Sequence, residues 1–233
     1  DDRNIEGMKR SAPVLFTVPG QLYSCGRRAV PWWLQEIDRP FEHYWVLARI
    51  QWGQKREKEW VFDFKALPQQ EVRFADLGLA EDREYLVFEF WGQEFLGRFK
   101  GSFTAPAMDE DDGMDVFAIR EARPHPWIIS TSRHISQGGV SLLDEKWDTK
   151  TKVLSGKSKV VVGDPYVMTV YIPEGFRLDS ARISEEKVDT ASRERTATVR
   201  VMPSATGDVR WKIRFSESAS DAGAVNGRVK TGQ

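Results

Sequence analysis

Apolar and polar residues alternate with a period of two along several stretches of this chain. In residues 44–52 the even positions, from Tyr44 to Trp52, are all apolar. This period places successive side chains on opposite faces of a pleated strand. Trp60, Phe62 and Phe64 repeat the pattern after a charged turn at residues 54–59. The two stretches together predict a β-hairpin.

Further short stretches of strand-forming residues fill the rest of the chain. They predict strands at residues 84–90, 95–103, 116–119, 128–131, 140–143, 152–154, 158–162 and 167–172. The two clearest strands come last, at residues 196–201 and 209–215, where one face is apolar and the other polar. Because no long helical pattern interrupts them, the sequence predicts an all-β fold, an antiparallel two-sheet β-sandwich.

The pattern divides the chain into three parts. Residues 1–40 predict an irregular lead-in or linker that packs on a neighbouring domain, with the contact placed at Trp32, Trp33, Leu34 and Phe41. Residues 41–215 predict the β-sandwich domain. Residues 216–233 contain mainly small and polar residues with little to bury, which predicts a flexible tail.

Composition and charge narrow the class of protein. A chain of 233 residues with nine Trp and thirteen Phe can bury a large core. Its 34 basic and 35 acidic side chains give a net charge of -1, so no long-range field attracts a nucleic acid or an anionic membrane. No apolar run reaches the roughly 18 residues of a membrane span. The expected partners therefore include neither nucleic acid nor membrane.

The cellular compartment stays open between the cytoplasm and secretion after processing, with a soluble protein expected in either case. Cys25 is the only cysteine, so an internal disulfide and a cysteine-based metal cluster are both excluded. The chain begins at Asp1 rather than at Met. This start suggests a processed product or a piece of a longer polypeptide.

The sequence offers no convincing catalytic or metal site. His134 follows Ser130 and Ser132, but neighbours on one strand do not converge as a nucleophile and its base must. The acidic run at residues 109–115 lacks the Gly and Glu spacing of an EF-hand loop, so it predicts a solvated loop. We therefore predict no catalytic residue, no metal ligand and no cofactor in this chain.

Tryptophan is the side chain that most plausibly contacts a ligand. Its ring can stack on the apolar face of a sugar, so an exposed Trp on a sandwich can form a carbohydrate-binding site. The candidate residues are Trp91 and, in the lead-in, Trp32 and Trp33. The alternative, which we favour from the sequence, is that these rings pack in the core or between domains.

Several segments together resemble the C-terminal region of α-galactosidase-like glycoside hydrolases of the melibiase clan. The similarity is distributed over residues 30–215 and has no compact signature. The matching segments are residues 39–41, 46–52, 85–91, 95–97, 101–103, 126–134, 137–138, 142–143, 147–148, 154–156 and 166–175. Residues 68–74 and the acidic run at 109–115 depart from the pattern.

The resemblance implies an accessory role. In that family a catalytic (β/α)8 barrel carries the nucleophile and the acid/base, and an antiparallel β-sandwich follows it. No barrel pattern occurs in this chain, so no catalytic residue can be assigned. The first hypothesis is a non-catalytic sandwich, a domain or subunit, that packs against a barrel in the same or a partner chain. The alternatives are a free-standing carbohydrate-binding sandwich and a structural or interaction protein.

Overall fold

A computed structural model describes residues 9–10, 21–23, 32–50, 54–56, 59–61, 66–109 and 113–218. These residues contain 18 strands and a single turn of 3-10 helix, η1, at Ala75–Leu77. The strands are β1 (Gln21–Tyr23), β2 (Trp32–Arg39), β3 (Glu42–Ile50), β4 (Gln54–Arg56), β5 (Glu59–Val61), β6 (Gln70–Arg73), β7 (Glu84–Glu89), β8 (Glu94–Lys100), β9 (Ser102–Ala105), β10 (Met114–Glu121), β11 (Trp127–Thr131), β12 (Leu142–Asp148), β13 (Val153–Val160), β14 (Tyr166–Tyr171), β15 (Phe176–Ile183), β16 (Val188–Arg193), β17 (Thr196–Val201) and β18 (Gly207–Glu217).

The prediction of an all-β, antiparallel sandwich fold is confirmed. The described strands pair antiparallel throughout, in a six-stranded sheet of order β1-β2-β3-β10-β7-β8 and two four-stranded sheets. We call the four-stranded sheets the inner sheet, of order β11-β14-β17-β16, and the outer sheet, of order β12-β13-β18-β15. The hairpin β4-β5 and the pair β6-β9 are separate.

The six-stranded sheet buries its first face under the β6-β9 pair and η1. Alternation along β2, β3, β7 and β10 directs Leu34, Leu47, Val87 and Phe117 to this face, where Phe74 and Phe103 cover them. The aromatic rings meet at close range, with the Phe74 and Tyr85 centroids 4.7 Å apart. Aromatic rings of this size bury a large apolar area, which is the main stabilising contribution of this layer.

The second face of the six-stranded sheet packs against the C-terminal half. One cluster joins Ile37, Tyr44, Val46 and Phe90 with Ile135 of the 132–141 loop. A second cluster joins Leu86 and Phe88 of β7 with Trp127, Ile129 and Tyr171 of the inner sheet. The two halves therefore share an apolar interface made of two clusters, as the two faces of a sandwich do.

The C-terminal half is a two-sheet sandwich with its own core. The inner sheet contributes Met168, Val170 and Val199, and the outer sheet contributes Leu154, Trp211 and Ile213, all of them less than 2 % exposed. The opposite face of the outer sheet carries polar side chains. In the described part of the chain, the β6-β9 pair and these three sheets thus form four successive layers.

Three boundaries differ from the sequence prediction. Residues 32–39 are strand β2, paired with β3 from Trp32↔Arg49 to Arg39↔Glu42, so the prediction of an irregular segment is wrong there. The tail was placed too early, because Ser216 and Glu217 complete β18, and residues 219–233 lie outside the described residues. The predicted hairpin between residues 44–52 and 60–64 is not formed by the described residues, because β3 pairs with β2 and β10 and residues 59–61 pair with residues 54–56. Residues 62–65 lie outside the described residues.

Some strands were also divided incorrectly. The predicted strands 152–154 and 158–162 are one strand, β13, and residues 95–103 are two strands separated at Gly101. Gly101 has φ +78°, a left-handed conformation that glycine adopts without steric cost. Strands β15 and β16 were missed, because exposed residues dominate both of them. Within the described part of the chain, no helix has the length and hydropathy needed to cross a membrane.

Candidate functional site

Trp32 is buried, so its selection as a carbohydrate contact was wrong. Its ring is 0 % exposed on the first face of the six-stranded sheet. The Phe117 ring lies 6.4 Å away, centroid to centroid, and the Arg49 guanidinium lies 5.5 Å from the indole ring. Trp32 therefore belongs to the core, which is the alternative that we favoured from the sequence.

Trp33 and Trp91 are partly exposed, at 37 % and 39 % of their surface. Trp33 follows Trp32 on β2 and so projects from the second face of the sheet. Trp91 lies in the turn between β7 and β8, and its ring meets Phe90 edge to face at 4.9 Å. The Glu89 carboxylate accepts hydrogen bonds from the N–H groups of Trp91 and Gly92 and so holds this turn.

A row of paired residues runs across the sheet from Trp33 to Phe90, the residue that precedes Trp91. Trp33 pairs with Ala48, Ala48 pairs with Val116, and the Val116 carbonyl accepts the Phe90 N–H at 2.9 Å. Three strand spacings separate the ends of this row, about 14 Å. Val116 is fully buried, so packed side chains and not an open cleft lie between the two rings.

A buried ion pair connects the two halves next to their apolar interface. Arg120 on β10 and Glu42 on β3 form a salt bridge, with both side chains 2 % exposed. Arg120 also donates to the Gln137 carbonyl at 2.7 Å and lies 3.6 Å above the Tyr44 ring. Burial disfavours its charge, but Glu42 and Tyr44 outweigh burial and raise the pKa of Arg120. Arg120 therefore stays charged and fixes the 132–141 loop to the six-stranded sheet.

Other polar contacts reinforce this joint. The Tyr44 hydroxyl donates to the Ser136 carbonyl at 2.6 Å, and burial raises the pKa of Tyr44 to about 12. Arg39 donates to the carbonyls of Gly139 and Leu142. Main-chain carbonyls of one half are thus paired with side chains of the other, which satisfies polar groups that burial would otherwise penalise. We call the set Arg39, Glu42, Tyr44, Arg120, Arg123 and Glu145 the polar joint.

Glu145 is the titratable member of the polar joint. Its side chain is 3 % exposed, and its two oxygens meet the Arg123 guanidinium at 3.4 Å and the Ile128 N–H at 3.0 Å. Arg123 also lies 3.6 Å from Glu42, so two carboxylates share one arginine. Burial first, and the charge of Glu42 second, raise the pKa of Glu145 to about 8. Both carboxylates are buried, so neither is accessible to a substrate.

Ser132 and Ser136, which lie near His134, form hydrogen bonds within and beside the loop. His134 Nδ1 accepts hydrogen bonds from the Ser136 hydroxyl at 2.7 Å and the Ser136 N–H at 3.0 Å, both within one turn. The Ser132 hydroxyl accepts the Val167 N–H at 3.0 Å. These contacts agree with the polar-loop interpretation of this segment. Among the described residues, no group of three potential metal ligands comes together.

The uncovered face of the outer sheet carries a row of basic side chains that the sequence analysis missed. Lys146, Ser155, Lys212 and Arg182 are register partners across β12, β13, β18 and β15 in turn. Arg214 lies two residues from Lys212 on the same face of β18. The sequence showed Lys212 and Arg214 only as the polar side of one strand. Lys146 and Arg182 join them through the pairing of β12 with β13 and of β15 with β18.

This row lines a shallow groove of about 720 Å³, which we call the basic groove. Its lining consists of Lys146, Asp148, Thr151, Val153, Ser155, Ser180, Arg182, Lys212 and Arg214. Four cations and one carboxylate give it a net charge of +3. The backbone N–H of Thr151 in particular lowers the pKa of Asp148, whose Oδ1 is occupied by the N–H groups of Lys150 and Thr151.

The groove cations have no ion-pair partner, and neither do Lys159 and Arg210 elsewhere on the described part of this sheet, whereas two lysines nearby are paired. Within the described ranges, Lys146, Arg182, Lys212 and Arg214 have no ion-pair partner. Outside the groove, Lys152 pairs with Glu217 and Lys157 pairs with Asp208. The groove therefore brings four cations and a single carboxylate together on one part of the sheet.

Comparison with protein-family models and with curated proteins finds no match to this chain. The resemblance to melibiase-clan enzymes accordingly rests on the sequence segments alone.

Proposed function

We propose that this chain is a non-catalytic accessory β-module of a glycoside hydrolase resembling α-galactosidases. In this proposal it packs against a catalytic (β/α)8 barrel that the chain itself does not contain. The side that carries Trp33 and Trp91 faces the barrel. The proposal combines the sequence resemblance with one structural observation, the exposure of these two large rings at the same end of the six-stranded sheet.

The spacing of the two rings favours a protein partner over a sugar chain. A glycan held by stacking on both rings would need an open surface between them. Buried Val116 stands in the middle of the row instead, so the surface between the rings is packed. Separated aromatic anchors with packed side chains between them are typical of protein–protein interfaces, where Trp is enriched.

The polar joint favours a structural role for this module. It fixes the C-terminal sandwich to the six-stranded sheet through Arg120, Tyr44 and Arg39. A module of this kind presents Trp33 and Trp91 in a constant position, which lowers the entropic cost of binding a partner.

The test is co-purification from the source with an α-glycosidase assay on a panel of aryl glycosides. We expect the chain to co-purify with a larger chain, and the activity to follow the assembly. Trp33→Ser with Trp91→Ser should release the larger chain. The matched control is Val162→Ser with Met202→Ser, which changes two apolar side chains that are 55 % and 53 % exposed in the C-terminal half.

The alternative is a free-standing carbohydrate-binding module. It is favoured by the same exposed rings, each of which could stack on one sugar. A solitary chain that binds neutral glycans, and loses this binding in Trp91→Ala, would replace the accessory proposal. A solitary chain without glycan binding would contradict both.

A further inference from the structure

We propose that the basic groove of the outer sheet binds an acidic polysaccharide, a glycan that carries carboxylate or sulfate groups along its chain. This site lies in the C-terminal half and is independent of Trp33 and Trp91. It therefore goes beyond the proposed accessory function and does not depend on it.

Charge complementarity is the first argument. The groove combines four cations with a single carboxylate, and that carboxylate already accepts two backbone hydrogen bonds. Elsewhere on the sheet the acidic partners Asp208 and Glu217 neutralise Lys157 and Lys152. Unpaired cations that share a concavity repel one another, and an anion bound there removes this repulsion.

The geometry of the row is the second argument. Lys146 and Lys212 are register partners of the same residue, Ser155, so their backbones are two strand spacings apart, about 10 Å. Arg182 continues the row beside Lys212. A chain lying across the four strands would meet cations on three of them, which suits a linear polymer that carries several anionic groups.

The uncharged residues of the groove favour an acidic glycan over other polyanions. Ser155 and Ser180 supply hydroxyl groups, which donate and accept hydrogen bonds as sugar hydroxyls do. The lining contains no aromatic ring, whereas single-stranded nucleic acid is held by stacking of its bases on aromatic side chains. The net charge of -1 over the whole chain also gives no general attraction for nucleic acid.

The experiment measures binding of the full chain by isothermal titration calorimetry. The probes are polygalacturonate for carboxylates, dextran sulfate for sulfates, and neutral dextran. The test variant is Lys212→Gln with Arg182→Gln. The control is Lys152→Gln with Lys157→Gln, which removes the same charge from the same sheet but only from paired cations. We expect about a tenfold loss of affinity in the test variant and less than about a twofold loss in the control.

Further results identify the recognised anionic group and show which findings would contradict the proposal. Binding to one acidic polymer and not the other identifies carboxylate or sulfate as the recognised group. Binding should weaken as salt rises above about 0.15 M, because exposed charges are then screened. Equal losses in both variants, equally tight binding of duplex DNA or polyglutamate, or no binding of either acidic polysaccharide would overturn the proposal. Trp33→Ser with Trp91→Ser should leave this binding unchanged, so failure of the accessory function is detected separately.

Discussion

The two halves of the molecule use their sheets in opposite ways. The six-stranded sheet of the N-terminal half is covered on both faces, by the β6-β9 pair on one side and by the C-terminal half on the other. The outer sheet of the C-terminal half is covered on one face only. Its other face carries the basic groove.

This difference explains where each half exposes side chains that could contact a partner or a ligand. A sheet buried on both faces can present side chains only at its rims, and Trp33 and Trp91 stand at such positions. A sheet with a free face can present a whole row of side chains across several strands, as Lys146, Lys212 and Arg182 do. The candidate contacts are therefore apolar rings at the edges of one half and charges across the face of the other.

The largest expected effect comes from breaking the polar joint between the halves. Arg120→Met removes the closer of the two arginines that contact Glu42 while the carboxylate stays buried, and this should lower the free energy of unfolding by about 3–5 kcal/mol. Urea denaturation followed by circular dichroism measures the change. Glu42→Gln in the same chain should recover part of the loss, because the buried side chain is then uncharged. A loss below about 1 kcal/mol in Arg120→Met would show that the joint does not couple the halves.

The adjacent residues Trp32 and Trp33 test the assignment of faces in the N-terminal half. Trp32→Ala empties a core position and should cost about 3–5 kcal/mol. Trp33→Ala should cost distinctly less, because its ring already contacts solvent. The two midpoints are compared by thermal denaturation. Equal costs would contradict the placement of Trp33 on the partly exposed side.

Gly156→Ala tests the packing of the outer sheet. An added Cβ would lie 2.1 Å from the Asp144 carbonyl oxygen and 2.4 Å from the Trp211 ring. Backbone and a buried ring cannot both move aside, so we expect a loss of about 1–3 kcal/mol in chemical denaturation. Ser155→Ala, one residue away, is the control and should be close to neutral. A neutral Gly156→Ala would contradict the observed approach of Trp211 to β13.

A pH dependence of stability is also expected, and it arises from Glu145. Its pKa is about 8 in the folded protein, against an ordinary value of 4.5. The folded state therefore holds the proton more tightly, and this stabilisation, complete below pH 4.5, is lost as pH rises to 8. Glu145→Gln cannot ionise, so its melting temperature should change less over this window than that of the unchanged protein. Identical pH profiles of the two proteins would show that Glu145 does not carry the effect.

Strands with one apolar and one polar face were predictable from the sequence. The alternation of Val199 and Val201 in β17, and of Trp211 and Ile213 in β18, follows directly from burial of one face. Strand β15 could not be found in this way, because half of its side chains are exposed and a register shift between Leu178 and Ser180 interrupts its alternation. The prediction for Trp32 failed because adjacent strand residues point in opposite directions and the sequence does not tell which is inside.

The polar joint and the basic groove were not predictable, because each is assembled from distant segments. Glu42 and Arg120 are 78 residues apart, and their pairing depends on β3 lying beside β10. The row Lys146, Lys212 and Arg182 depends on the order β12-β13-β18-β15 and on its register. A shift of one residue in any of these strands would turn the basic side chains to the core.

The sequence by itself determined the all-β class, the position of most strands and the apolar side of the strongest ones. These properties follow from the two-residue period of a strand, which is local and visible in one chain segment. Tertiary structure alone decided which sheets are covered, which tryptophans reach solvent and which charges meet. These depend on strand order and register, which link residues far apart in the chain.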